Sequence, residues 1–372
     1  MRKRIAIFVA IVQCILLAAH WFIYYTWWGF TDFDLAADSS GSGAAEWTMA
    51  VLSISFVSAS LLAWRYNNLV LRIVYRLAAV WLGLVSFFFF SACAVWVICI
   101  AVRLTRWTIN PIALAEACFG VGLLAGAWAL VNAAWLRVKR VRVSLPNLPA
   151  SWRGRVAALV SDTHLGHVRG LGFVRRIVAR LKRLKPDIVF LAGDLYDGTA
   201  VNAAELAMPL GEIAAPQGTY FVTGNHEEFR DPSEYVEAMT RAGVRVLKSE
   251  KIIVDGLQII GVYYHDSTWE PRLQEILQNA GIDRNCASIL IAHEPRHLAM
   301  AEREGISLQV SGHTHGGQFV PWKWIASRIF GRFVHGLQRF GKMLVYTSYG
   351  AGTWGPPLRV GTYPEIVLIE FE

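Results

Sequence analysis

At 372 residues the chain has material for two domains and at least one sizeable core. It is 54% hydrophobic and only 17% charged, with a mean hydropathy of +0.37, which excludes an ordinary water-soluble enzyme and implies a membrane portion. The net charge of +8 and the 15 Trp residues favour an anionic bilayer over nucleic acid, which is not expected as a partner.

Charges cluster at the extreme N-terminus and after about residue 136, and four apolar blocks fill the space between: Ile5–Trp28, Trp47–Trp64, Leu77–Val102 and Ile112–Leu136. Each reaches or approaches the ~20 residues that cross hydrocarbon as a helix. The first is too long for the core of a signal peptide, and its end (Tyr24, Tyr25, Trp27, Trp28) suits an interfacial aromatic belt. Arg2, Lys3 and Arg4 precede it, Arg65, Arg72 and Arg76 fall in the expected second loop, and Arg137, Lys139, Arg140 and Arg142 follow the fourth block. The first loop carries Asp32, Asp34 and Asp38 with a Ser-Gly stretch; Arg103 and Arg106 are the one dissent. This bias predicts a multi-pass protein of the inner (plasma) membrane, with both termini and residues 137–372 in the cytoplasm. Glu116 and Asn132 are the polar residues of the fourth block, and an interfacial role outweighs a transport path, so residues 1–136 read as an anchor. Four of the five Cys residues lie in the apolar blocks, leaving Cys286 alone in the remainder and no disulfide framework.

From about Arg137 the rhythm changes. Val156–Val160 and Ile188–Ala192 read as buried strands, and between them Phe173–Lys185 sets Phe173, Ile177, Leu181 and Leu184 at helical spacing. Further strands are predicted at Tyr220–Thr223, Ile252–Val254, Ile259–Val262, Ile289–Ala292, Leu308–Val310, Leu344–Tyr346 and Ile366–Ile369, and helices at Ser233–Ala242 and Pro271–Asn279. Strands alternating with helices predict a layered α/β domain over residues 137–372.

Five strand ends carry polar clusters: Ser161-Asp162-Thr163-His164, Gly193-Asp194-Leu195-Tyr196-Asp197-Gly198, Gly224-Asn225-His226-Glu227, Ala292-His293-Glu294-Pro295 and Gly312-His313-Thr314-His315-Gly316-Gly317. That is the edge where α/β sheets bind ligands. Asp162 and His164 are two apart, so an extended backbone would point both to one face. Asp194 can bridge two cations, Asn225 offers a neutral carbonyl oxygen, and His293, His313 and His315 supply imidazoles. Mixed nitrogen and oxygen donors without thiolate point to two divalent ions, Mn, Fe, Zn or Co, in a catalytic site. Such a pair can share a hydroxide nucleophile and clamp phosphoryl oxygens during in-line attack. An Asp-X-His pair or a Gly-Asp turn taken singly says little; five such clusters in order, each at a strand end, leave little room for coincidence.

These motifs resemble the calcineurin-like metallophosphoesterase superfamily over about Arg140 to Glu372. The Gly-Gly-Gln ending of the last cluster and the Gly-rich Tyr346–Arg359 stretch are most similar to the bacterial membrane-associated branch of YkuE and YaeI. The resemblance implies a four-layer α/β/β/α sandwich, here preceded by an all-α bundle of four transmembrane helices. It implies that Asp162, His164 and His315 hold one metal, that Asn225, His293 and His313 hold the other, and that Asp194 bridges them. His226 would be an unligated catalytic histidine that assists the leaving group, with Asn225 beside it. Glu227 stands where many relatives carry Asp, a departure expected to touch only its contact to His226. Asp197 is expected to form a turn or support the ligands, His265-Asp266 is a weak candidate to reach the site, and His167, His297 and His335 are assigned surface or core roles.

The basic aromatic segment Trp322–Phe333 suits an anionic membrane interface as well as it suits a packed loop. The connector Arg137–Gly154 spans at most ~60 Å and would keep the active site near the bilayer. The expected reaction is hydrolysis of a phosphodiester or pyrophosphate bond in a membrane lipid or lipid precursor. Some relatives of this branch resemble UDP-2,3-diacylglucosamine hydrolases, which makes a lipid A precursor one candidate. The alternatives are a phosphodiesterase on a soluble nucleotide, and a membrane scaffold or sensor whose metals serve folding alone.

Overall fold

The computed structural model describes residues 2–31 and 40–372, so Asp32, Asp34 and Asp38 lie outside the described residues. The chain divides into two compact units, Met1–Val131 with Gly355–Leu358, and Asn132–Trp354 with Arg359–Glu372.

Four long apolar helices make up the N-terminal region: α1 (Arg2–Thr31), α2 (Ser40–Ala63), α3 (Leu69–Thr105) and α4 (Pro111–Ala134). All four are long and apolar enough to cross a membrane. Arg72 and Arg76, which the sequence reading put in a loop, instead occupy the first turns of α3. Asn68 caps that helix by accepting from Leu71 N–H at 2.9 Å. At 37 residues α3 is ~55 Å long, well beyond the ~30 Å of hydrocarbon, so arginines can sit on it outside the apolar layer. Ile23 of α1, Val85, Ala92 and Val95 of α3, and Ala115 and Phe119 of α4 pack together as a core. Polar side chains within this unit are matched across helices. Trp81 Nε1–H donates to His20 Nε2 at 2.8 Å, Trp96 Nε1–H to Thr26 Oγ1 at 2.9 Å, and Ser91 Oγ–H to Cys118 O at 2.8 Å. Glu116 is exposed on α4.

The remainder is a mixed α/β domain. Its first half runs β1 (Arg137–Val143), β2 (Val156–Val160), α5 (Leu171–Leu184), β3 (Ile188–Ala192), α6 (Ala203–Ala207), β4 (Thr219–Val222), α7 (Ser233–Arg241) and β5 (Arg245–Val246). Its second half runs β6 (Glu250–Val254), β7 (Leu257–Gly261), α8 (Tyr264–Thr268), α9 (Glu270–Asn279), β8 (Ser288–Ile291), α10 (Leu298–Arg303) and β9 (Leu308–Ser311). The chain then closes with α11 (Trp322–Phe330), β10 (Gly336–Phe340), β11 (Met343–Thr347) and β12 (Glu365–Phe371). Every strand and helix predicted for this region is present within two residues at each end; β1, β5, β10, α6, α8, α10 and α11 were not anticipated.

One sheet has the order β1-β12-β2-β3-β4-β5 and the other β10-β11-β9-β8-β7-β6. Within them β2, β3 and β4 run parallel, as do β7, β8 and β9. Strand alternation builds the layers. Leu159, Ile188, Phe190, Val222, Ile259, Ile289 and Val310 point between the sheets into one core. Ala158, Val160, Val189 and Leu191 face the other way, against Phe173, Ile177 and Leu181 of α5 and Met239 of α7. Ile260, Leu290 and Val345 likewise meet Leu273, Leu277 and Met300 of α9 and α10. The result is the expected four-layer α/β/β/α sandwich. Trp152, fully buried, closes one end by donating Nε1–H to Val254 O at 2.9 Å and meeting Phe371 edge-on.

The Arg137–Gly154 stretch is not a free connector. β1 pairs in parallel with β12 along its whole length, so only Trp135 and Leu136 separate α4 from the sheet. Asn132, read as a polar residue of the apolar block, is buried and donates Nδ2–H to Arg359 O and Thr362 O at 2.8 and 2.9 Å. Its Oδ1 accepts from Arg137 at 2.7 Å.

Candidate metal centre

The five polar clusters meet at the C-terminal ends of β2, β3, β4, β8 and β9. Their loops are laced to one another by backbone hydrogen bonds: Asp162 N–H donates to Gly193 O at 3.0 Å and His164 N–H to Asp194 O at 3.1 Å. The backbone of Asp162 and His164 is left-handed (φ 51° and 47°), not the extended form the two-residue spacing suggested. Neighbouring carbonyls dictate that conformation, and Asp194, His313 and His315 share it with φ between 48° and 70°. Close packing leaves no room beside them. A Cβ on Gly312 would fall 2.1 Å from Asp162 Oδ2, and one on Gly193, itself at φ 81°, 2.6 Å from His293 Nδ1.

Three side-chain trios each bring one donor atom apiece within 4.8 Å of one another: Asp162, His164 and His315; Asp194, His293 and His313; and His164, Asp194 and His226. Asn225 joins the second through Oδ1, 2.9 Å from His313 Nδ1. Asp194 Oδ2 is the common centre, 3.1 Å from His293 Nε2 and 3.9 Å from both His164 Nε2 and His226 Nε2. All eight side chains named from the sequence are thus gathered. Backbone donors orient the carboxylates: His226 N–H gives to Asp194 Oδ1 at 2.9 Å, and His313 N–H to Asp162 Oδ1 at 3.0 Å.

Carbonyl oxygens set the tautomers. His293 Nδ1–H donates to Ala192 O at 2.7 Å, so Nε2 faces Asp194; His226 Nδ1–H donates to Asp197 O at 2.9 Å, which also turns its Nε2 inward. The His226 ring is flanked by His164 at 4.6 Å and Phe229 at 4.5 Å between centroids.

Burial and crowding give these groups unusual proton affinities. Burial alone would lower the His293 imidazole, but the Asp194 and Asp162 carboxylates raise it to about 10. Burial, and then the nearby His293, push His313 down to about 3. His164 and His315 are held well below the ordinary imidazole value, mainly by burial and secondly by a neighbouring imidazole. Burial raises Asp162 to about 6, against the opposing pull of His293. For Asp194 burial also pushes upward, yet the surrounding imidazoles, His293 foremost, hold it well below the carboxylate range.

This donor set fits divalent cations. His164 Nε2 and His315 Nε2 stand 2.9 Å apart, and His164 Nδ1 is buried without a hydrogen-bond partner. Carboxylate, amide oxygen and imidazole converge in a buried space without thiolate, as oxygen- and nitrogen-loving metals require.

Some expectations change. The Glu227 carboxylate makes no contact to the His226 ring. It accepts instead from the N–H groups of Asp194, Tyr196 and Gly224 at 2.9, 2.8 and 2.7 Å. Burial and the Asp194 charge raise it to about 8. Asp197 forms a turn with Thr199 while its carbonyl holds His226. Asp266 accepts from Ser249 at 2.5 Å and pairs with Arg272, away from the site. His167 is buried against Thr199, His297 reaches Thr268 O, and His335 stacks on Tyr349 at 3.4 Å. The sequence reading missed Tyr264, whose ring lies 5.9 and 6.0 Å from His293 and His313, and Glu294, 4.0 Å from His313 Nε2. It also missed the role of Arg359, fully buried, whose Nη2 lies 3.2 Å from His315 Nδ1 and donates to Tyr349 O and Gly352 O at 2.6 and 2.7 Å. Only Glu294, adjacent to His293, had a local signal.

A four-layer sandwich thus gathers Asp, Asn and His side chains at the ends of its parallel strands, a donor set that could hold divalent cations. Residues 156–317 match the family described as calcineurin-like phosphoesterase. A metallophosphoesterase of Aquifex aeolicus, named as uncharacterised, is 31% identical over 263 residues, 67% of this chain and 97% of the relative. The chain belongs to the calcineurin-like metallophosphoesterase family. A Danio rerio relative named as a transmembrane protein with metallophosphoesterase domain is 32% identical over 264 residues, 65% of this chain and 59% of its own length. The metallophosphoesterase YkuE of Bacillus subtilis is 27% identical over 231 residues, 59% of this chain and 80% of YkuE. The chain spans 63%, 58% and 59% of the lengths of the Campylobacter jejuni, Helicobacter pylori (strain J99) and Danio rerio relatives.

Proposed function

We propose that this chain is a two-metal phosphoesterase that hydrolyses a phosphodiester or pyrophosphate bond in a membrane lipid or lipid precursor. Residues 1–136 are the anchor, in the inner (plasma) membrane, and residues 137–372 the catalytic domain, on the cytoplasmic side. Asp162, His164 and His315 would hold one divalent cation and Asn225, His293 and His313 the other, with the Asp194 carboxylate available to both. The observation that supports this reading is that Asp194 Oδ2, 3.1 Å from His293 Nε2 in its own trio, also lies 3.9 Å from His164 Nε2 of the trio formed with Asp162 and His315.

When bound, Mn, Fe or Zn would supply an activated water and positive charge for the phosphoryl oxygens. The chain's own groups do the rest. His226, with Nδ1–H fixed on Asp197 O, presents Nε2 toward the leaving oxygen and, as imidazolium, would donate the Nε2 proton to it and be left neutral. Asn225 orients the phosphoryl group, and the Ala192, Asp194 and Gly193 carbonyls hold the ligand loops in register. The lipid reading is supported by the four apolar helices and by the two residues, Trp135 and Leu136, that separate α4 from β1.

The test is a hydrolysis screen of the full chain with added Mn over phospholipids, nucleotide-activated lipids and cyclic nucleotides, with Asn225→Ala and His226→Ala as controls. Turnover of a lipid phosphoester that both variants abolish is expected. Turnover of soluble nucleotides alone would overturn the lipid assignment, and metal binding without hydrolysis of any phosphate ester would overturn the enzymatic one.

A further inference from the structure

The catalytic reading leaves α11 unexplained. Ala326 is buried and the Phe330 ring lies 6.0 Å from His313, so one side of the helix packs onto the domain beside the metal centre. On the remaining arc Trp322, Trp324, Ile325 and Ile329 are 56%, 65%, 47% and 62% exposed, with Arg328 among them. A single exposed apolar side chain needs no explanation, but Trp322, Ile325 and Ile329, spaced three and four residues apart, form a face in need of an occupant. Trp354, fixed by Gln318 through both its N–H and its carbonyl at 2.8 and 2.9 Å, adds an exposed ring 6.1 Å from His226.

Charge indicates what covers this face. Residues 305–364 contain no Asp or Glu, yet carry Lys323, Arg328, Arg332, Arg339, Lys342 and Arg359. Of these Arg328, Arg332, Arg339 and Lys342 are exposed, and in a chain whose apolar helices are long enough to cross a bilayer they complement anionic headgroups.

We propose that α11 docks in the interfacial layer of an anionic bilayer, with Trp322, Ile325 and Ile329 among the acyl chains and Arg328 and Arg332 on headgroup phosphates. Trp at the helix start and guanidinium groups at its end are the composition of an in-plane amphipathic helix. Because Phe330 touches His313 from the same helix, docking brings the metal centre to headgroup level. The docking stands on its own observations; only its consequence for turnover rests on the lipid-substrate reading.

The experiment uses the full chain in nanodiscs of phosphatidylethanolamine and phosphatidylglycerol carrying alkyne-tagged lipid. A photoreactive benzoylphenylalanine replaces Ile329 in one preparation and Ile253, an equally exposed apolar residue of β6, in the other. About tenfold more lipid adduct at position 329 is expected. Equal labelling at the two positions, no adduct at 329, or cross-linking of 329 to a second copy of the chain would overturn the proposal. In parallel, the Ile325→Glu, Ile329→Glu double variant should raise the KM for a lipid phosphoester about tenfold while leaving kcat on bis(p-nitrophenyl) phosphate unchanged. Loss of both activities would mean that the helix holds up the fold and not the membrane contact. Adducts at 329 with no lipid turnover by the parent chain would uphold docking and reject the lipid substrate.

Discussion

Glu227 offers the sharpest perturbation, because its role is structural and its partners are countable. Oε2 accepts from Asp194 N–H and Gly224 N–H, and Oε1 from Tyr196 N–H, all buried. In Glu227→Gln the amide oxygen can keep the first two donors, but the amide NH2 then confronts Tyr196 N–H, leaving one buried donor unmet. That costs ~1–3 kcal/mol. Glu227→Ala strands all three donors and opens a cavity, for about 5 kcal/mol. With ~2–4 °C per kcal/mol for a domain of this size, the two variants should melt about 2–12 °C and 10–20 °C below the parent. Thermal unfolding of the full chain in detergent, followed by near-UV circular dichroism, reads the shift of the catalytic domain. The alanine variant should also lose bound metal, since Asp194 and Asn225 flank the freed loop. If both variants melt within 1–2 °C of the parent, the carboxylate does not pin the β3 and β4 loops together and the reasoning fails.

Further expectations follow from the same geometry. His226→Ala should cut turnover of an activated diester by about 10²–10⁴ while leaving the metal content unchanged, and a variant that loses metal would place His226 among the ligands. Chelation should lower the melting temperature, because a cation at 100-fold over its Kd stabilises by about 2.7 kcal/mol; a melt indifferent to chelator would remove the metals from the fold. His293 has a folded pKa raised to about 10 from 6.5, so its stabilisation is complete below 6.5 and disappears as pH climbs through about 10. The metal-free chain should therefore melt lower at pH 10 than at pH 7 and lose most of that dependence in His293→Asn, and the Mn-loaded chain should depend less on pH across the same window. Arg359→Met should weaken metal affinity about 10–100-fold by releasing the His315 loop, measured as metal retained at limiting Mn; full retention would make Arg359 a packing residue only.

Much of this molecule could be read from its residues, and the exceptions share a cause. The inward alternation of Leu159, Phe190 and Ile289, and the polar clusters that end those strands, are local patterns and were legible. β1 was not, since Arg-Val-Lys-Arg-Val-Arg-Val looks like a basic linker until β12, more than 220 residues later, supplies its partner and Glu370 pairs with Arg140. The left-handed backbone of Asp162 and His164 follows from carbonyls at Gly193 and Asp194, which spacing along one strand cannot reveal. Glu227 was misjudged for the same reason: two of its three donors lie across a loop from β3. The three arginines of α3, Arg72, Arg76 and Arg103, were placed in loops because hydropathy marks where lipid ends, not where a helix does.

The central claim is a pair of cations on Asp162, His164, Asp194, Asn225, His293, His313 and His315. Anomalous scattering from crystals of the full chain grown with Mn tests it most directly. Two peaks about 3.5–4 Å apart, flanking Asp194, are predicted. A single peak, or metal bound elsewhere in the domain, would contradict the account.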